Sequence, residues 1–175
     1  MTKPIGLKRG TVSVLQYQPS WKVAFDNEKQ MLLKSLGDYI LDIEHVGSTA
    51  VPGLAAKPII DMIAAVDDLS VYKLLIEPLT TMSYEYMPER VFDDRVFFPK
   101  GTRANRTYHL SLVLKDSKGW TQPILFRDYL IKNDAARSRY QMLKLELAVK
   151  YPNDRASYTK AKEQAIQQLL AEAQL

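Results

Sequence analysis

Between Pro58 and Val66 the chain reads PIIDMIAAV. An apolar run this nearly continuous fits a strand buried on both faces rather than one with a wet side. Within it stands a single carboxylate, Asp61. A buried carboxylate is unfavourable unless it is paired, hydrogen-bonded or bound to metal. The segment therefore poses two questions at once: what covers the strand, and what satisfies its aspartate.

The rest of the chain supplies candidates for the cover. Residues 11–15 (TVSVL) alternate as a short strand would, and a helix is expected from Ser20, whose hydroxyl suits an N-cap. Ala24, Met31, Leu32, Ser35 and Leu36 recur at near-helical spacing, and Gly37 is a natural stop. Strands are expected over 39–46, 96–99 and 107–114, with a helix from Ser70 to about Met82 that Pro78 must kink or break. Helices at about 117–132, 134–150 and 155–173 are separated by Asn133-Asp134 and by residues 151–154 (YPND), both rich in turn and cap residues. Strands mixed with helices, then helices alone, indicate an α/β (α+β) class: a mixed core over about 1–116 and a helical part over about 117–175, within one domain.

Composition narrows the chemistry. The 175 residues are 46% hydrophobic and 25% charged, enough for a sizeable core without staples. There is no cysteine, so disulfides, thiolate metal sites and a cysteine nucleophile are excluded. Residues 1–8 lack the apolar core of a signal peptide and no apolar run reaches membrane-spanning length, so a soluble cytoplasmic protein is expected. The net charge of +4 suggests phosphorylated partners. The basic residues are scattered, the densest patch being Lys100, Arg103 and Arg106, and nucleic acid is not the expected partner.

The loop before the apolar strand carries the most specific chemistry. Gly47 lets the chain turn sharply and removes a side chain that would hold a ligand off the backbone. Ser48 or Thr49 can cap a short helix whose free N–H groups attract anions. Residues 51–54 (VPGL) suit a type II turn with Gly53 at the positive-φ position. Lys57 adds a point charge that suits phosphate. A Mg2+ or Mn2+ ion bridging Asp61 and the phosphates of a nucleotide would satisfy the carboxylate. The alternative is an Asp61 that bonds to loop N–H groups or to an arginine.

Gly-Ser followed a dozen residues later by Asp on an apolar strand resembles the signature of the nucleotidyltransferase superfamily related to DNA polymerase β. Those enzymes usually carry a second acid two positions on, where this chain has Ile63; Glu44, Asp93, Asp94 or Asp116 would have to be recruited by the fold. A closer resemblance spans nearly the whole chain. Residues 45–61 (HVGSTAVPGLAAKPIID), 17–21 (YQPSW), 126–130 (FRDYL), 140–148 (YQMLKLELA) and 151–160 (YPNDRASYTK) resemble the GrpB family, bacterial nucleotidyltransferase-like proteins also found attached to some dephospho-CoA kinases. That resemblance implies a nucleotidyltransferase-like mixed sheet with helical C-terminal part. The family pattern near His109 commonly reads His-Leu-His, two imidazoles on one strand face. Here the second position is Ser111, which favours anion binding over metal binding.

The remaining candidates are polar residues of open role. His45 and His109 are the chain's two histidines; with Asp61 they could hold a divalent cation. Arg103, Arg106 and Arg127 could grip phosphate in bidentate fashion, although Arg127 also suits an ion pair with Asp128 or Asp134. Lys144 and Arg155 could line the cleft from the opposite side. Three functions follow: a Mg2+-dependent nucleotidyltransferase, a module that binds a nucleotide or other phosphorylated small molecule without consuming it, and a protein-interaction or folding-accessory domain.

Overall fold

The structure, a computed structural model, describes residues 5–8 and 10–174. Its elements are β1 (Leu7–Lys8), α1 (Ser20–Leu36), β2 (Asp42–Val46), β3 (Ile60–Val66), α2 (Tyr72–Thr81), β4 (Arg95–Thr102), β5 (Asn105–Leu114), α3 (Lys118–Lys132), α4 (Asp134–Lys150) and α5 (Arg155–Ala173). The apolar run Ile60–Val66 is the middle of the sheet. It pairs antiparallel with β2 and parallel with β5, while β4 and β1 both pair antiparallel with β5. No helix is long and apolar enough to cross a membrane among the described residues.

Side-chain alternation sorts the sheet into two faces. On one, Ile43, Ile60, Met62, Ala64, Leu110 and Leu112 pack against Trp21, Phe25, Leu32 and Leu36 of α1 and Leu75 and Leu79 of α2. Full burial of each Ile, Leu, Met or Phe side chain among these contributes about 1.5–3 kcal/mol. On the other, Val46, Ile63, Ala65 and Val113 pack against Trp120 of α3. The three C-terminal helices share a further core of Phe126, Leu130, Ala136, Tyr140, Leu169 and Leu170, into which Val51 and Leu54 of the small-residue loop insert. Asp61, His109 and Ser111 alternate onto the face of the C-terminal helices, beyond the end of this packing.

Several local expectations need correction. Residues 11–15 form no strand; only Leu15 bridges, to Ala56, and the Val12 N–H goes to Pro152 O at 2.8 Å. Val12 packs against Leu147 and Tyr158, so alternation there serves a helix contact, with no strand alongside it. Ser20 makes no capping bond, because the chain is already helical at Pro19 (φ −56°, ψ −25°) and the first turn bonds to Gln18 and Pro19. The buried stripe of α1 includes Glu28 and leaves Met31 47% exposed. Of the two outcomes expected at Pro78, a break is not seen: α2 continues through it to Thr81. Ser48 and Thr49 cap nothing: they lie within a 3-10 turn, Ser48–Ala50, with Gly47 at the cap position. The turn at 51–54 forms as expected, with Gly53 at φ +79° and Leu54 N–H bonded to Val51 O at 3.1 Å.

Candidate functional site

Asp61 and His109 are side by side on the parallel strands β3 and β5. His109 Nδ1 lies 2.9 Å from Asp61 Oδ1. Crowding at the bottom of a crevice would raise the Asp61 pKa. The hydrogen bond and charge of His109, with Lys57 and Lys162 beyond, overcome this and lower it. The crevice is open, and water still reaches 45% of the aspartate side chain. Gly47 backs the carboxylate from the other side, with φ +70° and ψ −170°.

Above this pair is a hollow of about 180 Å³, walled by Ser48, Lys57, Lys144, Arg155, Tyr158 and Lys162 among others. Its cations come from the loop before β3, from α4 and from α5. Arg155, Tyr158, Thr159 and Lys162 form one helical stripe at i, i+3, i+4 and i+7. Lys57 and Lys162 flank the Tyr158 ring at 5.1 and 4.6 Å from its centroid. The buried Lys144 Nζ donates to Ala55 O, while Gln141 Oε1 accepts from Ala55 N at 2.8 Å, so α4 holds both backbone groups of one loop residue. Burial, then repulsion from Lys162 and Lys57, pushes the Lys144 pKa down to about 6. Burial, then Lys162 and Arg155, brings Lys57 down to about 8. Four basic side chains and one carboxylate therefore share a small space, with Lys144 the most readily neutralised of the four.

A groove of about 910 Å³ opens alongside, sharing His109, Arg155 and Thr159 with the hollow. Arg90, Arg95, Arg103, Arg106 and Lys160 line it together with Phe92 and Phe97. The fold thus gathers basic residues that are scattered along the sequence.

The GrpB protein family model matches residues 11–172. The chain belongs to the GrpB family. A glutamate-rich protein GrpB of Alkalihalophilus pseudofirmus is 37% identical over 172 residues, covering 96% of this chain and 99% of that protein. The crystal structure of conserved protein GrpB from Enterococcus faecalis superposes with a TM-score of 0.85 at 36% identity, over 92% of this chain and 96% of that one. Cid1 poly(U) polymerase superposes with a TM-score of 0.52 at 13% identity, over 77% of this chain and 42% of its own. At that identity the likeness is one of fold, and it bears out the nucleotidyltransferase-like sheet.

In this member of the GrpB family the expected site residues divide into three groups. Gly47, Ser48, Thr49, Lys57, Asp61 and His109 meet at the hollow or against it, and Lys144 and Arg155 do line it from the opposite side. Ser111, Arg103 and Arg106 face the groove, where both arginines pair with Glu85 and Arg106 also donates to Gly101 O at 2.7 Å. His45, Glu44 and Arg127 are elsewhere. His45 alternates onto the opposite sheet face, stacked on Phe25 at 4.7 Å and bonded through Nε2 to Thr49 Oγ1 at 3.0 Å. Its burial pushes the imidazole pKa down to about 4. Arg127 is held by Glu44, by Asp128 at 2.7 Å and by His45 O at 2.9 Å, which ties α3 to β2. Its pairing with Asp128 is the one expected; Asp134 pairs instead with Arg137 at 2.8 Å. Lys162 is an addition from the structure, although its stripe with Arg155 and Thr159 is visible in the spacing.

The donor set does not fit a pair of divalent ions. Two-metal chemistry needs several carboxylates converging on ions about 3.5–4 Å apart. The strand neighbours of Asp61 and His109 on this face are Ile63 and Ser111, paired with each other across β3 and β5. No group of three or more metal-ligating side chains forms among the described residues. The charges facing Asp61 are cations, which repel a metal ion and attract an anion.

Proposed function

We propose that the hollow is a phosphate site and that the chain binds a phosphorylated small molecule, a nucleotide among the candidates, in a nucleotidyltransferase-like fold without two-metal nucleotidyl transfer. The observation that carries this reading is the convergence of Lys57, Lys144, Arg155 and Lys162 on a hollow of about 180 Å³. Mutual repulsion and burial make these cations unfavourable when free, as the lowered lysine pKa values reflect. A bound phosphate relieves both terms through charge-assisted hydrogen bonds. The adjoining groove is wide enough for the organic part of such a ligand.

Thermal melts and calorimetry with inorganic triphosphate, ATP, UTP and dephospho-CoA, each with and without Mg2+ or Mn2+, test the reading. Binding is expected without metal; at 100 times Kd it adds about 2.7 kcal/mol of stability. Replacing Arg155 and Lys162 together by Ala should abolish the shift. No shift with any of these ligands, or one that requires Mg2+ or Mn2+, would overturn it.

A further inference from the structure

We propose that His109 Nε2 is a nucleophile toward phosphorus, taking a phosphoryl group from a phosphoanhydride held in the hollow and passing it to water. The inference rests on the phosphate-site reading and goes beyond it to a reaction. Asp61 as a carboxylate can only accept hydrogen bonds, so the 2.9 Å contact requires the proton on His109 Nδ1. In the neutral ring the lone pair then resides on Nε2. Among the described residues Nδ1 is the ring nitrogen that is bonded, and the side chain walls both the hollow and the groove. The Phe97 ring packs on the imidazole at 5.2 Å and fixes its plane. A nucleophile oriented by a third group, facing a cluster of cations, is the arrangement that covalent catalysis requires.

The step balances with the ligand and water alone. The Nε2 lone pair forms a bond to the terminal phosphorus, and the bridging P–O bond breaks. Its electron pair leaves on the departing phosphate oxygen, whose developing charge Lys57, Arg155 and Lys162 stabilise. Asp61 steadies the positive imidazolium ring through Nδ1–H. Water then attacks phosphorus, the N–P bond breaks, its electron pair returns to Nε2, and orthophosphate is released with the water's proton passing to solvent. Asp61 is thus a positioning residue, and the cations take the electrostatic part that metal ions play elsewhere.

The test uses the full chain with ATP radiolabelled at the terminal phosphate, in the presence of a chelator, quenched on the millisecond scale. The expected result is orthophosphate release together with protein-bound label that survives base and is lost in acid, both absent in His109→Gln. Asp61→Asn is expected to bind ATP more tightly, because a negative charge leaves the hollow, yet to label far more slowly, toward the roughly 10⁴-fold loss that a wrong imidazole tautomer brings. That split separates positioning from a purely structural role. ATP that binds without release of orthophosphate overturns the reaction and leaves the phosphate site standing. Release without label, or label that persists in His109→Gln, overturns His109 as the nucleophile. Absence of ATP binding overturns the reaction with ATP, and only absence of binding by every ligand named above overturns the phosphate site as well.

Discussion

Gly47 lies directly against the Asp61 carboxylate: a β-carbon at position 47 would stand 2.9 Å from Asp61 Oδ2. Its φ of +70° with ψ of −170° is a backbone region open essentially to glycine. Gly47→Ala is therefore expected to destabilise the fold by about 1–3 kcal/mol and to displace Asp61 from His109. Urea denaturation checks the first effect. Loss of the Asp61-dependent behaviour in phosphate binding checks the second.

A buried pair on the far face predicts a larger effect. Glu28 is buried in α1 and accepts from Tyr84 OH at 2.8 Å and from Lys100 Nζ at 2.6 Å. Lys100→Met leaves that carboxylate without its cation, and breaking a buried pair typically costs about 3–5 kcal/mol. The urea midpoint should fall accordingly, while triphosphate affinity is unchanged because Lys100 walls neither cavity.

The pH dependence has a defined sign. His45 titrates near 4 when folded against an ordinary 6.5, so between those values the unfolded chain binds more protons and stability falls as pH drops. Lys144 titrates near 6 when folded against 10.5, so its contribution makes stability rise with pH across that window. Urea midpoints against pH should lose slope between 4 and 6.5 in His45→Gln, and above 6 in Lys144→Met.

Ligand binding has its own proton signature. An anion in the hollow favours charged Lys144 and Lys57, which are partly neutral near pH 7 to 8. Triphosphate binding at pH 7.5 should therefore take up protons, seen in calorimetry as a heat that depends on buffer ionisation enthalpy. In Lys144→Met the uptake should shrink.

Arg127 and Arg155 separate structure from binding. Arg127 joins α3 to β2 through Glu44, Asp128 and His45 O, whereas Arg155 borders both cavities. Arg127→Ala is expected to destabilise by about 3 kcal/mol with triphosphate affinity kept. Arg155→Ala should weaken triphosphate binding by about 1.5–3 kcal/mol, the value of a hydrogen bond to a charged group, with little change in the urea midpoint.

These contrasts show what the sequence made legible. The C-terminal helices were predicted to within a residue because their boundaries carry local signals. Asn133 Oδ1 accepts from Ala136 N at 2.9 Å and Asp154 Oδ1 from Ser157 N at 3.0 Å. The apolar run around Asp61 likewise announced a central strand. What could not be read was partnership across distance. Alternation at 11–15 resembled a strand because periodicity records which side is apolar, not whether another strand lies alongside. Arg127 suits either phosphate or an ion pair with a near neighbour such as Asp128, and only the fold adds Glu44, distant in sequence, as a partner. Lys57, Lys144 and Lys162 come together only because α4 and α5 fold back over the sheet.

Of the stripe on α5, Tyr158 packs with Val12 and Leu147, whereas Arg155, Thr159 and Lys162 belong to none of the apolar clusters. On the phosphate-site reading, part of the ligand contact is thereby mounted on a replaceable wall. On that reading, exchanges along one helix would alter the preference for an acidic guest, while the strands beneath keep their sequence and their geometry.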